Sequence, residues 1–323
     1  MRAIRVERHG GPEVLVPADI ETPAPGSGEL LVRVAAAGVN YIDTYNRSGL
    51  YTAPTPFVPG AEGAGTVSAV GAGVSGFAAG DRVAWCAAPA SYAEQVIVSA
   101  DRAVPVPAGI PDEVAAAAML QGATAHYLTT STYPVQPNDA VLVHAAAGGV
   151  GLLLTQMTKM RGGRVIGTVS SDEKAALARQ AGADEVIRYD QTDFAAECRR
   201  LTRGEGVAVV YDGVGRTTFD GSLASLRRRG MLVLFGASSG PVPPFDPQRL
   251  NAGGSLFLTR PSLVHHTVTR EELLWRTQEV LGWITDGRLT IRIGARYPLG
   301  EARRAHEDLE GRRTTGKLLL LPQ

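Results

Sequence analysis

The segment "HAAAGGVG", His144–Gly151, carries small residues at a spacing that suits pyrophosphate binding. Ala146, Gly148 and Gly151 occupy the three small positions of an (Ala/Gly)-x-Gly-x-x-Gly turn. Small residues let the turn tighten, let backbone N–H groups approach a pyrophosphate, and let the next helix pack close to the preceding strand. The helix start adds unpaired N–H groups and the positive end of a dipole. A chain built for NAD places a carboxylate about 20 residues further on, for the ribose 2′-hydroxyl. Here that strand end reads Thr168-Val169-Ser170-Ser171. Asp172 follows and is expected to face the N-terminus of its own helix, Lys174 lies one turn in, and Tyr189 ends the next strand. Hydroxyls, a lysine and a phenol suit a 2′-phosphate, so NADPH is the expected cofactor.

A second stretch, "GVNYIDTYNRSGLY" (Gly38–Tyr51), concentrates Asn40, Tyr41, Asp43, Tyr45 and Tyr51. These residue types admit an acid–base site, a metal site that has lost its ligands, or a polar lid. Tyr41 is expected to pack and Asp43 to cap or orient the local turn.

The elements that must position these groups fall into two textures. Up to about Pro111 the chain reads as short strands and glycine turns, including "MRAIRVE", "ELLVRVAAAGV" and "GTVSAVGAGVSGFAAGDRVAW", a β-barrel-like lobe. "PDEVAAAAMLQGATAHYLTT" then has helical spacing, with Pro, Asp and Glu suited to its first turn. From Asp139 strands and helices alternate: "AVLVHAA", a helix from about Gly149 to Met160, "RVIGTVS", "DEKAALARQAG", "EVIRY", "TDFAAECRRLT", "VAVVYDGVG", the expected helix "TTFDGSLASLRRRG", then "MLVLFG". Such alternation predicts βαβ units and a parallel sheet. "SLFLTRPSL" adds a strand, "REELLWRTQEVLGWITDGRL" a long helix, and the tail a helix and a strand.

Composition sets limits on function. The 323 residues balance 32 basic against 32 acidic side chains, which argues against nucleic acid as the main partner. Two distant cysteines, Cys86 and Cys198, form no disulfide framework and suit a reducing compartment. The N-terminal "MRAIRVERHGGPEV" has scattered charges and no apolar core of a signal peptide, and no apolar run is long enough to span a membrane. A cytoplasmic protein is expected.

In this order, "GVNYIDTYNRSGLY", "PGAEGAGTVSAVG", "GDRVAW", "QGATAHYL", "HAAAGGVG", "GTVSSDEKAALA", "VVYDGVG", "RRRGMLVLFGASSG", "LTRPSL" and "TTGKLLL" resemble the medium-chain dehydrogenase/reductase superfamily. Within it the chain is similar to the zinc-free, zeta-crystallin-like NADPH:quinone oxidoreductases. The resemblance implies an α/β fold: a doubly wound Rossmann sheet over 122–287, binding NADP, and a GroES-like β-barrel catalytic domain over 1–121 and 288–323. It implies that Ala147, Gly148, Gly149, Val150 and Gly151 form the pyrophosphate loop. Ser170, Ser171, Lys174 and Tyr189 match the adenosine-phosphate corner. Phe235, Gly236 and Ser238, with Gln121 and Thr124, match nicotinamide-side positions, and Arg312 the arginine that closes on the cofactor. A homodimer joined through "SLFLTRPSL" is also implied.

Zinc-bearing relatives carry cysteine where this chain has Asn40 and histidine where it has Ala61 of Gly60-Ala61-Glu62. Catalytic zinc needs about three protein ligands. Glu62 is expected to be structural. His9 and His306 lie on polar segments, His126 and His144 on different elements, and His265 and His266 as adjacent residues point apart. No metal is expected. Hydride transfer to an already electrophilic acceptor then fits best, with Asn40, Tyr45 and Tyr51 lining its pocket between the domains and Asn40 reaching the substrate carbonyl or a water. A quinone is the expected acceptor. An enone or 2-alkenal double bond is the alternative, and a structural or RNA-binding role on a retained cofactor fold is the non-enzymatic one.

Overall fold

The computed structural model describes residues 1–322, and they form two compact units. The first comprises Met1–Ala123 with the chain from Thr267 onward; the second is Thr124–His266. No helix among the described residues is long and apolar enough to cross a membrane.

The second unit is built on a six-stranded sheet whose pairings are all parallel. In space the strands run Glu185–Arg188, Arg164–Val169, Ala140–Val143, Val207–Asp212, Leu226–Leu234 and Phe257–Thr259. Counted along the chain this is the order 3-2-1-4-5-6 of a doubly wound dinucleotide fold. Strands covered on both faces must be apolar throughout, and Leu142, Ile166, Val210 and Leu232 are wholly buried in one cluster. The order reverses between Ala140–Val143 and Val207–Asp212, so a crevice is expected beyond their carboxyl ends.

In the first unit the strand Glu29–Val39 is the centre. It pairs antiparallel with Gly63–Val70, Gln95–Ser99 and Lys317–Leu321. The last of these also pairs parallel with Ile293–Pro298. Leu318 is thereby set against Val39, so the two chain ends share one core with Leu30, Val32, Trp85 and Tyr92.

Three elements differ from expectation. The helix Arg270–Thr285, expected within the cofactor domain, belongs to the first unit. Its Arg270 donates to the carbonyls of Ala100 and Ala103, and Val280 packs where a Cβ on Gly122 would stand. The expected helix "TTFDGSLASLRRRG" is a helix only over Phe219–Ser225; Leu226 already opens the next strand. Tyr41–Ser48, inside the polar stretch, is a helix. By contrast, "PDEVAAAAMLQGATAHYLTT" is helical over Asp112–Tyr127, then takes one wider π-type turn, Leu128–Thr132.

Candidate active site

Asn40 is the N-cap of the helix Tyr41–Ser48, and Asp43 closes the cap from inside, its Oδ2 accepting the Asn40 N–H at 2.8 Å. The Asn40 side chain is buried and fully engaged. Its Nδ2 donates to Glu62 Oε2 at 2.7 Å and to the Gly38 carbonyl at 3.4 Å. Its Oδ1 accepts from Lys317 Nζ at 2.7 Å and from Gln121 Nε2 at 3.4 Å. Both ends of the Asn40 amide are thus engaged within the protein.

Lys317 was not singled out in the sequence. Its ammonium is 1% exposed and bonds Glu62, itself 0% exposed, together with Asn40. The other Glu62 oxygen accepts the backbone N–H of Leu120 at 2.6 Å. Charges buried this deeply are tolerated only when paired and hydrogen-bonded. Glycine at position 38 belongs to the same design, since a Cβ there would collide with Glu62 Oε2 and the Lys317 stem.

A second buried network lies beside it. Arg47, held by Glu310 through bonds of 3.0 and 2.9 Å, donates from Nη1 to His306 Nδ1 at 3.1 Å. A guanidinium only donates, so the His306 ring proton sits on Nε2 and is given to Tyr92 Oη at 3.1 Å. The Tyr92 hydroxyl then donates to Asp43 Oδ2 at 3.0 Å. Donors thus run in one direction from Arg47 to Asp43. His306, expected on a polar segment, is fully buried. Burial, then the Arg47 charge, holds its pKa down to about 3. Burial also raises the Asp43 carboxyl to about 7, against the pull of its bonds from Asn40 and Tyr92.

The tyrosines of this stretch divide their work. Tyr41 Oη donates to the Leu309 carbonyl at 3.1 Å, a packing role. Tyr45, nearly buried, and Tyr51, 38% exposed, meet edge to face with ring centroids 5.3 Å apart.

In the second unit the phosphate turn has its expected context. It follows Ala140–Val143 and opens the helix Gly149–Met160, with Gly148 as N-cap. A Cβ on Gly151 would collide with the Ala145 carbonyl oxygen, so glycine is what lets the helix start this close. Beneath the turn His144 bonds Thr168 Oγ1 at 2.9 Å and Ser222 Oγ at 3.0 Å, and Ser222 donates to Asp212. Burial lowers the His144 pKa, so the ring stays neutral. Asp212 also accepts the N–H groups of Val214 and Gly215.

Lys174 Nζ donates to Ser170 Oγ at 3.3 Å, and Tyr189 N–H bonds the Val169 carbonyl, so Ser170, Lys174 and Tyr189 gather at the tips of two neighbouring strands. Ser171 caps the helix Asp172–Gln180 by accepting the Lys174 N–H. Asp172 is the first residue of that helix and lies in its first turn. Arg188 grips it at 2.5 Å and grips Asp190 at 2.7 Å. Phe235, Gly236 and Ser238 follow Leu226–Leu234, tied by their N–H groups to the carbonyls of Asp212 and Gly213. Gln121 lies on the first unit, Thr124 on the second, and Arg312 in the turn after the helix Ala302–Glu310 of the first.

Two family models match: an alcohol dehydrogenase GroES-like domain over 26–108 and a zinc-binding dehydrogenase over 149–280. A quinone oxidoreductase of Pseudomonas aeruginosa is 46% identical over 99% of both chains. The chain belongs to the quinone oxidoreductase family of medium-chain dehydrogenases/reductases. The Escherichia coli quinone oxidoreductase in complex with NADPH superposes with a TM-score of 0.98 at 44% identity over the whole of both chains. A mycobacterial protein in complex with NADPH superposes at 0.97 with 54% identity, again over the whole of both. A 2-haloacrylate reductase of Burkholderia is 40% identical over 98% of both. The zinc named by one family model does not fit the residues present. Lys317 already supplies a cation to Glu62 and Asn40, and no three metal-ligating side chains gather among the described residues.

Replacing Lys317 by methionine leaves Glu62 buried with no counter-charge, an expected loss of about 3–5 kcal/mol in urea unfolding. K317M/E62Q should recover part of that loss, and equal losses in both variants would refute the pairing.

The pH dependence of stability follows from Asp43 and His306. Asp43, raised from 3.8 to about 7, contributes stability below 3.8 that is lost as pH rises through about 7. His306, lowered from 6.5 to about 3, contributes stability above 6.5 that is lost as pH falls towards about 3. Over the shared window the two slopes oppose each other. Urea midpoints of D43N should therefore rise with pH from about 4 to 6.5, and those of H306Q should fall. Parallel profiles for the two variants would contradict this.

Proposed function

We propose that this chain is an NADPH-dependent oxidoreductase that reduces a quinone by zinc-independent hydride transfer. The observation that carries the reading is the Lys317 ammonium on Glu62 and Asn40. A fixed, buried cation there leaves no donor set for a Lewis acid, so alcohol oxidation has nothing to lower the pKa of its hydroxyl. An acceptor that is itself electrophilic needs no such help. Bound NADPH supplies the hydride.

The protein's part is binding and orientation. The N–H groups from Ala147 to Gly151 hold the pyrophosphate at a helix N-terminus. Ser170, Ser171, Lys174 and Tyr189 take the 2′-phosphate, and the Asp172 carboxylate is engaged by Arg188. Phe235, Gly236, Ser238, Gln121 and Thr124 border the nicotinamide, and Arg312 closes on the cofactor. Gln121 is set by its bond to Asn40. Tyr45 and Tyr51 give the acceptor flat aromatic walls, and the Tyr51 phenol, which is exposed, delivers a proton that water can also supply. Asn40 shapes this wall and steadies Gln121.

Reduction of an activated C=C bond is the second reading, favoured by the 2-haloacrylate reductase relative. Steady-state assays with benzoquinone, naphthoquinone and 2-alkenals, each with NADPH and NADH, separate the two. Quinones with NADPH should give the highest kcat/KM. Alkenals above quinones would establish the second reading, and NADH equal to NADPH would sink the assignment of the Lys174 corner.

The strand Phe257–Thr259 ends its sheet with Phe257 54% exposed, an edge of the kind that partners cover. We take it as the seam of a homodimer. Sedimentation equilibrium should give twice the chain mass, and a monomer after introducing lysine at Phe257; a wild-type monomer would refute the seam. A cytoplasmic location suits the two buried, free thiols, and cell fractionation checks it.

A further inference from the structure

The segment "LRRRG" opens the fifth strand of the parallel sheet, and its register is broken. Leu226 stands opposite Val207, yet the next pair is Met231 opposite Val209. Arg227, Arg228, Arg229 and Gly230 therefore face the single residue Ala208, and the chain bulges out of the sheet. Arg229 sits in the left-handed region with φ +57°, a conformation that costs an ordinary side chain energy. Bulges of this kind re-aim side chains, and this one aims three arginines away from the ladder.

Beside the bulge lies a cavity of about 790 Å³, within the size range of small-molecule sites. Its lining includes Arg199, Arg227, Arg228, Arg229 and Glu205, four positive charges against one negative in a chain whose net charge is zero. Arg199 is structural: it donates to the carbonyls of Ala224, Gly204, Glu205 and Leu226. Arg227 reaches Asp139 at 3.3 Å. Arg228 and Arg229 are exposed, and among the described residues no carboxylate pairs with either. The far wall is backbone. Gly254 accepts the Arg229 N–H at 2.9 Å, and a Cβ on it would press on Arg228 Cα at 3.3 Å, so no side chain covers the arginines from that side.

The cavity lies at the amino end of Leu226–Leu234, whereas the Gly148–Gly151 turn follows the carboxyl end of Ala140–Val143 in the same parallel sheet. The two are at opposite ends of the strands. We propose that the arginine bulge binds an oligophosphate, distinct from the phosphates of the nicotinamide cofactor. Two guanidinium forks with no carboxylate partner suit phosphate oxygens, and Arg227, bonded to Asp139, adds positive charge beside them. The phosphates could be those of a free polyphosphate or of a nucleoside triphosphate.

Isothermal titration of the full chain with sodium tripolyphosphate and with ATP tests this, with and without saturating NADPH. Tripolyphosphate should bind in both conditions, and more weakly as salt rises. R228Q/R229Q should weaken binding by about tenfold or more while leaving KM for NADPH unchanged. Equal affinity for ATP and tripolyphosphate assigns recognition to the phosphates alone; tighter ATP binding adds the nucleoside. The proposal fails if neither ligand binds, if the double variant binds as the parent does, or if NADPH abolishes binding.

Discussion

A lysine ammonium with almost no access to water sets the terms for the first unit. Lys317 is stable only because Glu62 and Asn40 surround it. The three residues come from separate parts of the chain: just after the strand Glu29–Val39, just before Gly63–Val70, and the start of the last strand. The pairing of Lys317–Leu321 with Glu29–Val39 is thus both a sheet register and an electrostatic requirement. Moving the last strand by one residue would turn the ammonium to the other face and leave Glu62 alone. Much follows from this one contact. Gly38 must lack a side chain, Asn40 must present its oxygen to Lys317 and Gln121, and the helix behind it begins where Asn40 caps it.

The neighbouring chain from Arg47 to Asp43 works by a different rule. No single bond in it is unusual, yet each donor has one direction available because the guanidinium at its head cannot accept. That fixes the tautomer of His306 and the rotor of Tyr92 without any bound ligand. A segment backed by such a network is held in one arrangement, the kind of preorganisation that a reaction relying on orientation requires.

Much of this architecture is legible in the sequence because its signals are local. The glycine turn, the apolar strands and the alternation of strand and helix each lie within a short window, and they place the cofactor fold with few alternatives. The gathering of Ser170, Lys174 and Tyr189 is legible for the same reason. What the sequence hides is long-range. Nothing in "TTGKLLLL" distinguishes Lys317 from a solvated charge; its burial depends on partners such as Asn40, 277 residues away. His306 lies among charged neighbours and is buried because its helix turns that one face inward. The three arginines read as the charged end of a helix, and only the register of the sheet reveals a bulge. The helix Arg270–Thr285 joins the first unit through bonds to carbonyls on residues far upstream, which no periodicity reports.

The Arg188 clamp has a consequence for redesign. Asp172 stands close to where a chain built for NAD would place its acid, and its exposed carboxylate bonds Arg188, which also holds Asp190. If Lys174 holds a 2′-phosphate as proposed, changing it alone removes that grip without offering anything to a bare ribose. On that reading, conversion of cofactor preference in this scaffold is a two-site problem: the lysine, and the arginine that holds the neighbouring carboxylate away from a ribose.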